Sequence, residues 1–335
     1  MEKKSKRVDT FDIMKFFGIM MVIIGHMSHY FEHVIYSFHM PLFFIIAGYF
    51  YHSKGIKESF AKDVNHLIYP YVLTALAIVL TYLSCSVVIE NVDIKYWLIA
   101  MVYGSGSVNH SSLLLSKVPP IGAIWFLLAL FWCKNIYNVV NHYTKKPMIV
   151  SFLLSVAAIL LDKYLINLPL AILPGIGAVM FYALGFFLKQ IGGFAKINPF
   201  IGIFLILIWI VSFLTSDMSM VRCYYQNFII NVIGAIGGTY VLFLISDVLS
   251  TCRYPLHKVV IWGGKNSLIF LCIHLYDLDV PIRGFLHIPN IVGIPLVILM
   301  CFVGTYVMSK IPFTKMVYNI KPFKNINYSS FGFRL

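Results

Sequence analysis

Ten apolar stretches, most of them close to the length that a helix needs to cross a bilayer, divide this chain. An α-helix rises about 1.5 Å per residue, so about 20 apolar residues cover a hydrocarbon core roughly 30 Å thick. Hydrophobic residues make up 60% of the sequence and charged residues only 12%, which excludes an ordinary soluble domain. The pattern predicts an all-α, polytopic membrane protein with about ten transmembrane helices. The stretches lie at residues 11–30, 36–52, 66–88, 122–141, 147–161, 172–189, 199–215, 226–248, 258–276 and 290–309.

The Lys and Arg residues are divided unevenly between two alternating sets of connecting segments. Eighteen of the 26 basic residues fall in the two termini and in the loops that share their side under a ten-helix plan. The opposite set holds five: Lys95, Lys117, Lys163, Arg222 and Arg283. Because cytoplasmic segments carry the excess of Lys and Arg, this asymmetry predicts that both termini are cytoplasmic. The net charge of +13 then matches anionic lipid headgroups, and the scattered basic residues argue against nucleic-acid binding.

We expect a single membrane domain over residues 1–335. It divides into a cytoplasmic N-terminus (1–10), a helical region (11–309) and a short basic cytoplasmic tail (310–335). The basic start resembles a signal peptide, but the following apolar run carries charges and lacks a small-residue cleavage site, so we interpret it as a retained first span. A short amphipathic helix is predicted near residues 93–102, at the interface. The six cysteines form no CxxC pair, which favours packing roles over disulfides or metal binding.

The first span carries three ionisable residues, Asp12, Lys15 and His26. Eleven residues at about 100° and about 1.5 Å each place Lys15 and His26 on one helix face, roughly 16 Å apart. Asp12 lies one turn before Lys15 and is close enough to pair with it. Ionisable groups inside a span are costly and indicate a buried functional site, in which a histidine suits a general base and a lysine suits a phosphate. The alternative is a polar seam that hydrogen-bonds neighbouring helices, with Lys15 as an interface anchor.

Three further segments carry candidate polar or aromatic side chains. His39 begins the second span, where the alternative is a helix-end residue at the interface. In WGGKNSLIFLCIHLYD, Asn266 and Ser267 supply hydrogen-bonding groups, and Ser267 and His274 share one helix face; interhelical hydrogen bonding is the alternative. Trp125 is a candidate for stacking on a ligand, although aromatic residues at such positions more often serve packing. The histidine spacing gives little support to a metal site, and we expect none.

Four motifs together resemble a known family. They are D-x-x-K-x10-H in the first span, FHMPLFF-x3-G-Y at 38–49, IWFL at 124–127 and GKNSL-x5-H at 264–274. In this order they resemble the integral-membrane acyltransferase-3 family, and most closely the branch of fucose 4-O-acetylase-like sugar O-acetyltransferases. One departure is Ala47-Gly48, where the family usually has Ser-Gly.

The resemblance implies transfer of an acyl group, usually acetyl from cytoplasmic acetyl-CoA, to a hydroxyl of a cell-envelope or lipid-linked polysaccharide. It identifies His26 with the family's essential base, Lys15 with its basic residue and Asp12 with its acidic residue. The basic segment after the second span, at 53–71, matches the family's CoA-binding region, with Lys62 as the residue we select for cofactor binding. Asn266 or Ser267 is then a candidate oxyanion donor. The resemblance also implies a multi-pass protein of the plasma membrane.

Several alternatives stay open at the level of sequence. The acyl group passes directly to the acceptor hydroxyl, or it rests first on His26 as a covalent intermediate. A transporter or flippase for a glycan or its lipid carrier is the second functional class, although inverted repeats are not visible in the sequence. The acceptor sugar, the donor acyl group and a homo-oligomeric state are not determined by the sequence.

Overall fold

Helices make up nearly all of the regular structure in the computed structural model, which describes residues 2–85, 93–107, 118–165, 168–252, 255–279 and 289–323. The first eight helices are α1 (Glu2–Met27), α2 (Glu32–Tyr36), α3 (His39–Tyr49), α4 (Ile56–Asp63), α5 (Tyr69–Cys85), α6 (Ile94–Tyr103), α7 (Trp125–Tyr143) and α8 (Pro147–Leu165). The next eight are α9 (Ile172–Gly177), α10 (Val179–Gln190), α11 (Pro199–Thr215), α12 (Phe228–Thr251), α13 (His257–Lys265), α14 (Ser267–Asp279), α15 (Asn290–Lys310) and α16 (Pro312–Val317).

Short elements connect several of these helices. A π-helical segment, Val64–Ile68, joins α4 to α5. Two short strands, β1 (Met218–Ser219) and β2 (Tyr224–Tyr225), pair antiparallel. Short 3-10 helices lie at His29–Phe31, Gly122–Ile124, Pro169–Ala171, Phe194–Lys196 and Met220–Arg222.

Four continuous helical segments among the described residues are long and apolar enough to cross a membrane: Ile56–Ser84, Gly122–Tyr143, Phe228–Thr251 and Val292–Lys310. Two bent helix pairs raise the number to six, α9 with α10 at 47° and α13 with α14 at 77°. An all-α membrane protein is therefore confirmed at this level. The predictions of ten spans, two cytoplasmic termini and one domain over residues 1–335 stay predictions.

Local sequence signals explain where several helices begin and end. The predicted short helix near 93–102 is α6, whose first turn is capped by Asp93 Oδ1 accepting from the backbone N–H of Tyr96 at 3.2 Å. It ends at Gly104, whose φ of 64° suits glycine. The predicted stretch 199–215 coincides with α11, and Asn198 caps it by accepting from the Phe200 N–H at 2.9 Å.

The second predicted span is shorter than its apolar stretch. Helix α3 covers 11 residues, which is about 16 Å of helix, and it packs against α1, α10 and α12. Its backbone touches that of α10 at two glycines. A Cβ added to Gly48 would lie 1.9 Å from the carbonyl oxygen of Tyr182, and one added to Gly185 would lie 2.0 Å from that of Ile45. The two helices therefore cross at a distance that only glycine permits.

The predicted span 258–276 is broken at Asn266. The Asn266 N–H donates to the carbonyls of Trp262 and Gly263, and the chain then turns by 77° into α14. Its side-chain amide binds the backbone of the C-terminal tail, accepting from the Lys321 N–H at 2.7 Å and donating to the Lys321 carbonyl at 3.2 Å. Trp262 Nε1 donates to the same carbonyl at 2.9 Å. The break in the span thus provides a binding site for the tail.

Candidate active site

A cavity of about 960 Å³ runs along α1 and is enclosed by α1, α3, α7, the start of α14 and the segment between α11 and α12. From α1 it is lined by Lys15, Ile19, Val22 and His26. Their spacing of four, three and four residues is that of one helix face, so the structure places Lys15 and His26 on the same wall. We call the end of the cavity beside Lys15 the Lys15 end. The opposite end is lined by the short hairpin that contains β1 and β2, and we call it the hairpin end.

At the Lys15 end, two ammonium groups flank one buried carboxylate. Lys15 Nζ lies 2.6 Å from Asp12 Oδ1, and Lys265 Nζ lies 3.9 Å from Asp12 Oδ2. Asp12 is only 4% exposed, whereas both lysines reach solvent. The pairing that the sequence predicted between Asp12 and Lys15 is present, and Lys265 joins it. Such a cluster is suited to bind a phosphate group.

A close helix contact builds this cluster. A Cβ added to Gly264, one residue before Lys265, would lie 1.8 Å from the carbonyl oxygen of Asp12. A Cβ added to Gly263 would lie 2.7 Å from the ring of Phe16. The pair of glycines therefore lets α13 approach α1 closely enough for Lys265 to reach Asp12.

Further along the wall, His26 is exposed to the cavity and stacks against a second histidine. The ring centroids of His26 and His274 lie 5.8 Å apart at an interplanar angle of 26°. His274 is 1% exposed and does not line the cavity, and its Nδ1 lies 3.3 Å from the Phe270 carbonyl. Its Nε2 has no hydrogen-bond partner in the described part of the chain. His274 thus supports the ring of His26 from behind.

His39 lines the cavity from α3. Its Nδ1 lies 2.8 Å from the carbonyl of Ile35, and its ring packs against Tyr36 at 5.1 Å. Because Nδ1 donates its proton to that carbonyl, Nε2 carries the lone pair. A side chain that is held in one orientation and has one lone pair left can accept a hydrogen bond at that nitrogen.

Of the other residues that the sequence predicted for the site, some line the cavity and some do not. Trp125 lines the cavity and its indole ring packs on Gly106, where an added Cβ would lie 2.1 Å from the ring. Ser267 also lines the cavity. Asn266 does not, because its amide is bound to the tail. Lys62 is exposed on α4 and lies outside the cavity lining. The structure therefore brings together Lys15, His26, His39, Trp125 and Ser267.

Sequence reasoning missed the hairpin end. There the cavity is lined by Glu32, His33 and most of residues 216–224. His33 Nδ1 lies 3.2 Å from Asp217 Oδ1 and joins the two segments. The available signal was the polar run SDMSMVRCYYQN between two apolar stretches, but nothing in its spacing connects it with the first span. Within the described ranges, no group of three or more His, Cys, Asp or Glu residues is arranged to hold a metal ion.

The placement of Asn266 leads to a prediction about stability. Replacing Asn266 with alanine removes both side-chain bonds to the Lys321 backbone, and each such hydrogen bond contributes about 0.5–1.5 kcal/mol to stability. We expect a lower melting temperature in detergent and faster proteolysis after residue 320. Ser267→Ala is the matched control, because its hydroxyl makes no hydrogen bond among the described residues. An unchanged melting temperature and intact tail in Asn266→Ala would contradict this assignment.

Comparison with known proteins places the chain in a family. The family model described as an acyltransferase domain, Acyl_transf_3, matches residues 8–310, which is most of the chain and includes every residue of the cavity lining. Searches of curated proteins and of solved structures found no significant match. The match over nine-tenths of the sequence, on an all-α membrane fold, shows that this chain belongs to the acyltransferase-3 family of membrane acyltransferases.

Proposed function

We propose that this protein transfers an acetyl group from cytoplasmic acetyl-CoA to a hydroxyl of a cell-envelope or lipid-linked polysaccharide, as an integral protein of the plasma membrane. The observation that carries the proposal is the cavity itself. At one end it is lined by Lys15, whose partner Asp12 also contacts Lys265; an accessible histidine lies along its wall, and a polar hairpin lies at the other end. Donor and acceptor can therefore approach the same histidine from opposite sides.

The Lys15 end is the proposed donor site. CoA carries phosphates at one end and the thioester at the other, joined by the flexible pantetheine arm. Lys15 and Lys265 supply the positive charge for a phosphate, and the buried Asp12 holds Lys15 in place. His26 lies about 16 Å further along α1, a distance that the pantetheine arm can cover. Lys62 stays a candidate for additional CoA contacts outside the cavity, and Trp125 for stacking on the donor within it.

His26 is the proposed base. It removes the proton from the acceptor hydroxyl while that oxygen attacks the thioester carbonyl. When the tetrahedral intermediate collapses, the C–S bond breaks, and the proton on His26 passes to the CoA thiolate. The products are the acyl ester and free CoA. Ser267, which lines the cavity, is better placed than Asn266 to donate to the oxyanion. An acyl group carried first by His26 would use the same residues in two steps.

The decisive experiment compares membranes that contain the protein with membranes from cells that lack it. We expect acetyl-CoA consumption that requires both the protein and a glycan acceptor. Mass spectrometry of the envelope glycans should show one acetyl group per modified sugar only when the protein is present. If cells without the protein lose the whole glycan from their surface while acetylation of the remaining material is unchanged, a transporter explains the protein better.

Replacing Lys15 tests the donor site. Charge-assisted hydrogen bonds contribute about 1.5–3 kcal/mol, so we expect Lys15→Ala to raise KM for acetyl-CoA roughly tenfold to hundredfold. The KM for the acceptor should change little, because the acceptor approaches from the hairpin end. The control is Lys145→Ala, which removes an exposed lysine from the turn after α7, outside the cavity lining. Equal losses for both substrates would indicate a structural role of Lys15 instead.

A further inference from the structure

The hairpin end of the cavity is formed by residues 216–225, which we call the 216–225 hairpin. It comprises β1, the turn Met220–Arg222 and β2. Residues 216–222 and Tyr224 all line the cavity, whereas Cys223 is turned away from it and is 5% exposed. One short segment thus provides most of the surface that a molecule at this end would meet.

Hydrogen bonds to the buried Asn231 and between Asp217 and Gln226 hold the 216–225 hairpin in one shape. The fully buried Asn231 of α12 accepts from Ser216 Oγ at 3.0 Å and donates to the Ser216 carbonyl at 3.3 Å. The backbone N–H of Asp217 donates to Gln226 Oε1 at 2.8 Å, and the Gln226 N–H donates to the Asp217 carbonyl at 3.0 Å. Because these bonds are made between groups of the protein itself, binding here would cost little ordering entropy.

The turn of the hairpin is strained in a way that orients its charged residue. Cys223 has φ 45° and ψ 30°, a left-handed conformation that costs a non-glycine residue about 1 kcal/mol or more. Its side chain packs in a small apolar cluster with Ala158 and Leu173. The buried cysteine anchors the turn, and its two neighbours, Arg222 and Tyr224, both line the cavity.

The charged side chains at this end differ in whether they have an interaction partner within the protein. Asp217 is paired with His33 at 3.2 Å, and Glu32 also has an interaction within the protein. Arg222 is exposed, and no carboxylate of the described residues lies within 4 Å of it. Its guanidinium therefore presents free donors to the cavity. A planar group with paired donors matches a carboxylate or a phosphate, which it can bind through two parallel hydrogen bonds.

We propose that the 216–225 hairpin is the acceptor-binding wall and that Arg222 binds an anionic group of the acceptor, either a sugar carboxylate or a phosphate. The inference rests on the proposed acyl transfer and adds the charge of the acceptor to it. Tyr224 and Tyr36, which line the same end, offer flat surfaces for sugar rings. The acceptor is thus an acidic glycan, or a glycan still attached to a phosphate-bearing carrier.

The first test measures binding without acyl transfer. The full-length protein in nanodiscs is treated with phenylglyoxal, and modification of Arg222 is quantified by peptide mass spectrometry. The probes are hexagalacturonate, its carboxyl-reduced neutral counterpart and inorganic pyrophosphate. We expect an anionic probe to slow modification of Arg222 several-fold and the neutral one to have no effect. Protection by hexagalacturonate identifies a sugar acid, and protection by pyrophosphate identifies a phosphate. Equal protection by the neutral oligomer, or none by any probe, would overturn the proposal.

The second test uses kinetics with membranes as the source of acceptor. Arg222→Gln should raise KM for the acceptor tenfold or more and leave KM for acetyl-CoA unchanged. The acceptor KM of Arg222→Lys should lie between those of the wild-type protein and Arg222→Gln. Lys95→Gln is the control, because Lys95 is exposed and outside the cavity lining. Unchanged acceptor KM in Arg222→Gln would reject Arg222 as the anchor. If the wild-type protein does not consume acetyl-CoA, the proposed function fails, whereas the protection experiment still decides the anion site.

Discussion

Replacing His26 with alanine is expected to abolish acyl transfer while the protein still inserts and folds. Positioned general bases contribute about a hundredfold to ten-thousandfold in rate, and His26 is the histidine exposed to the cavity on the α1 wall with Lys15. The ring makes one close aromatic contact among the described residues, with His274, so its loss should leave the packing of α1 intact. The measurement is acetyl-CoA consumption by equal amounts of monodisperse wild-type and variant protein.

Two further measurements make the His26 prediction specific. Added imidazole should restore part of the activity of His26→Ala, because the substitution leaves space in a cavity of about 960 Å³ that a free base can enter. His142→Ala is the matched control, since His142 is exposed at the end of α7 and does not line the cavity. Full activity in His26→Ala would remove the central element of the proposed mechanism.

Replacing Gly48 with alanine is expected to destabilise the contact between α3 and α10. A Cβ there would lie 1.9 Å from the Tyr182 carbonyl oxygen and 2.7 Å from its carbon, so α3 and α10 would have to separate. Overpacking of this kind costs about 1–3 kcal/mol or more. Alanine is the better helix former by about 1 kcal/mol, so the two effects have opposite signs. We expect the steric effect to dominate, because the new methyl group would overlap the carbonyl oxygen of Tyr182. That oxygen belongs to the backbone of a buried helix and cannot rotate away.

The measurement for Gly48→Ala is the melting temperature in detergent together with the yield of folded protein in the membrane. Gly177→Ala is the matched control: Gly177 is also buried at a helix position, and its added Cβ would meet only the sulfur of Cys223 at 3.5 Å, an ordinary contact. Gly48→Ala should lower both quantities clearly and Gly177→Ala should not. A stabilised Gly48→Ala protein would show that α3 and α10 can separate without loss.

The helical elements follow closely from local sequence. Apolar stretches predicted at 122–141, 199–215 and 226–248 correspond to α7 with its preceding turn, α11 and α12, and the short helix near 93–102 is α6. These elements depend on apolar composition, capping residues and terminal glycines or prolines, which act within a few residues. At the break, the Asn266 side chain accepts a hydrogen bond from the Lys321 N–H, 55 residues away, and no local pattern indicates that contact.

In the candidate site, too, some features follow from local sequence and others from contacts between distant segments. The alignment of Lys15 with His26 and the pairing of Lys15 with Asp12 depend only on helix geometry within one segment, and the structure has both. The pairing of Lys265 with Asp12, the stacking of His274 on His26 and the position of Arg222 depend on contacts between distant segments. Helical periodicity describes one segment at a time and does not indicate such contacts.

The local patterns of the chain are therefore enough to specify an all-α membrane protein whose first helix carries a lysine and a histidine on one face. Helix periodicity and apolar length are local properties, and the free energy of placing each segment in lipid depends mainly on its own composition. What this face contacts depends instead on how distant segments pack against one another. Glycine contacts bring α13 within reach of Asp12, and a strained, buried turn at Cys223 places Arg222 in the same cavity. Which surfaces meet depends on the shapes of both partners at once, and a single segment does not encode that information.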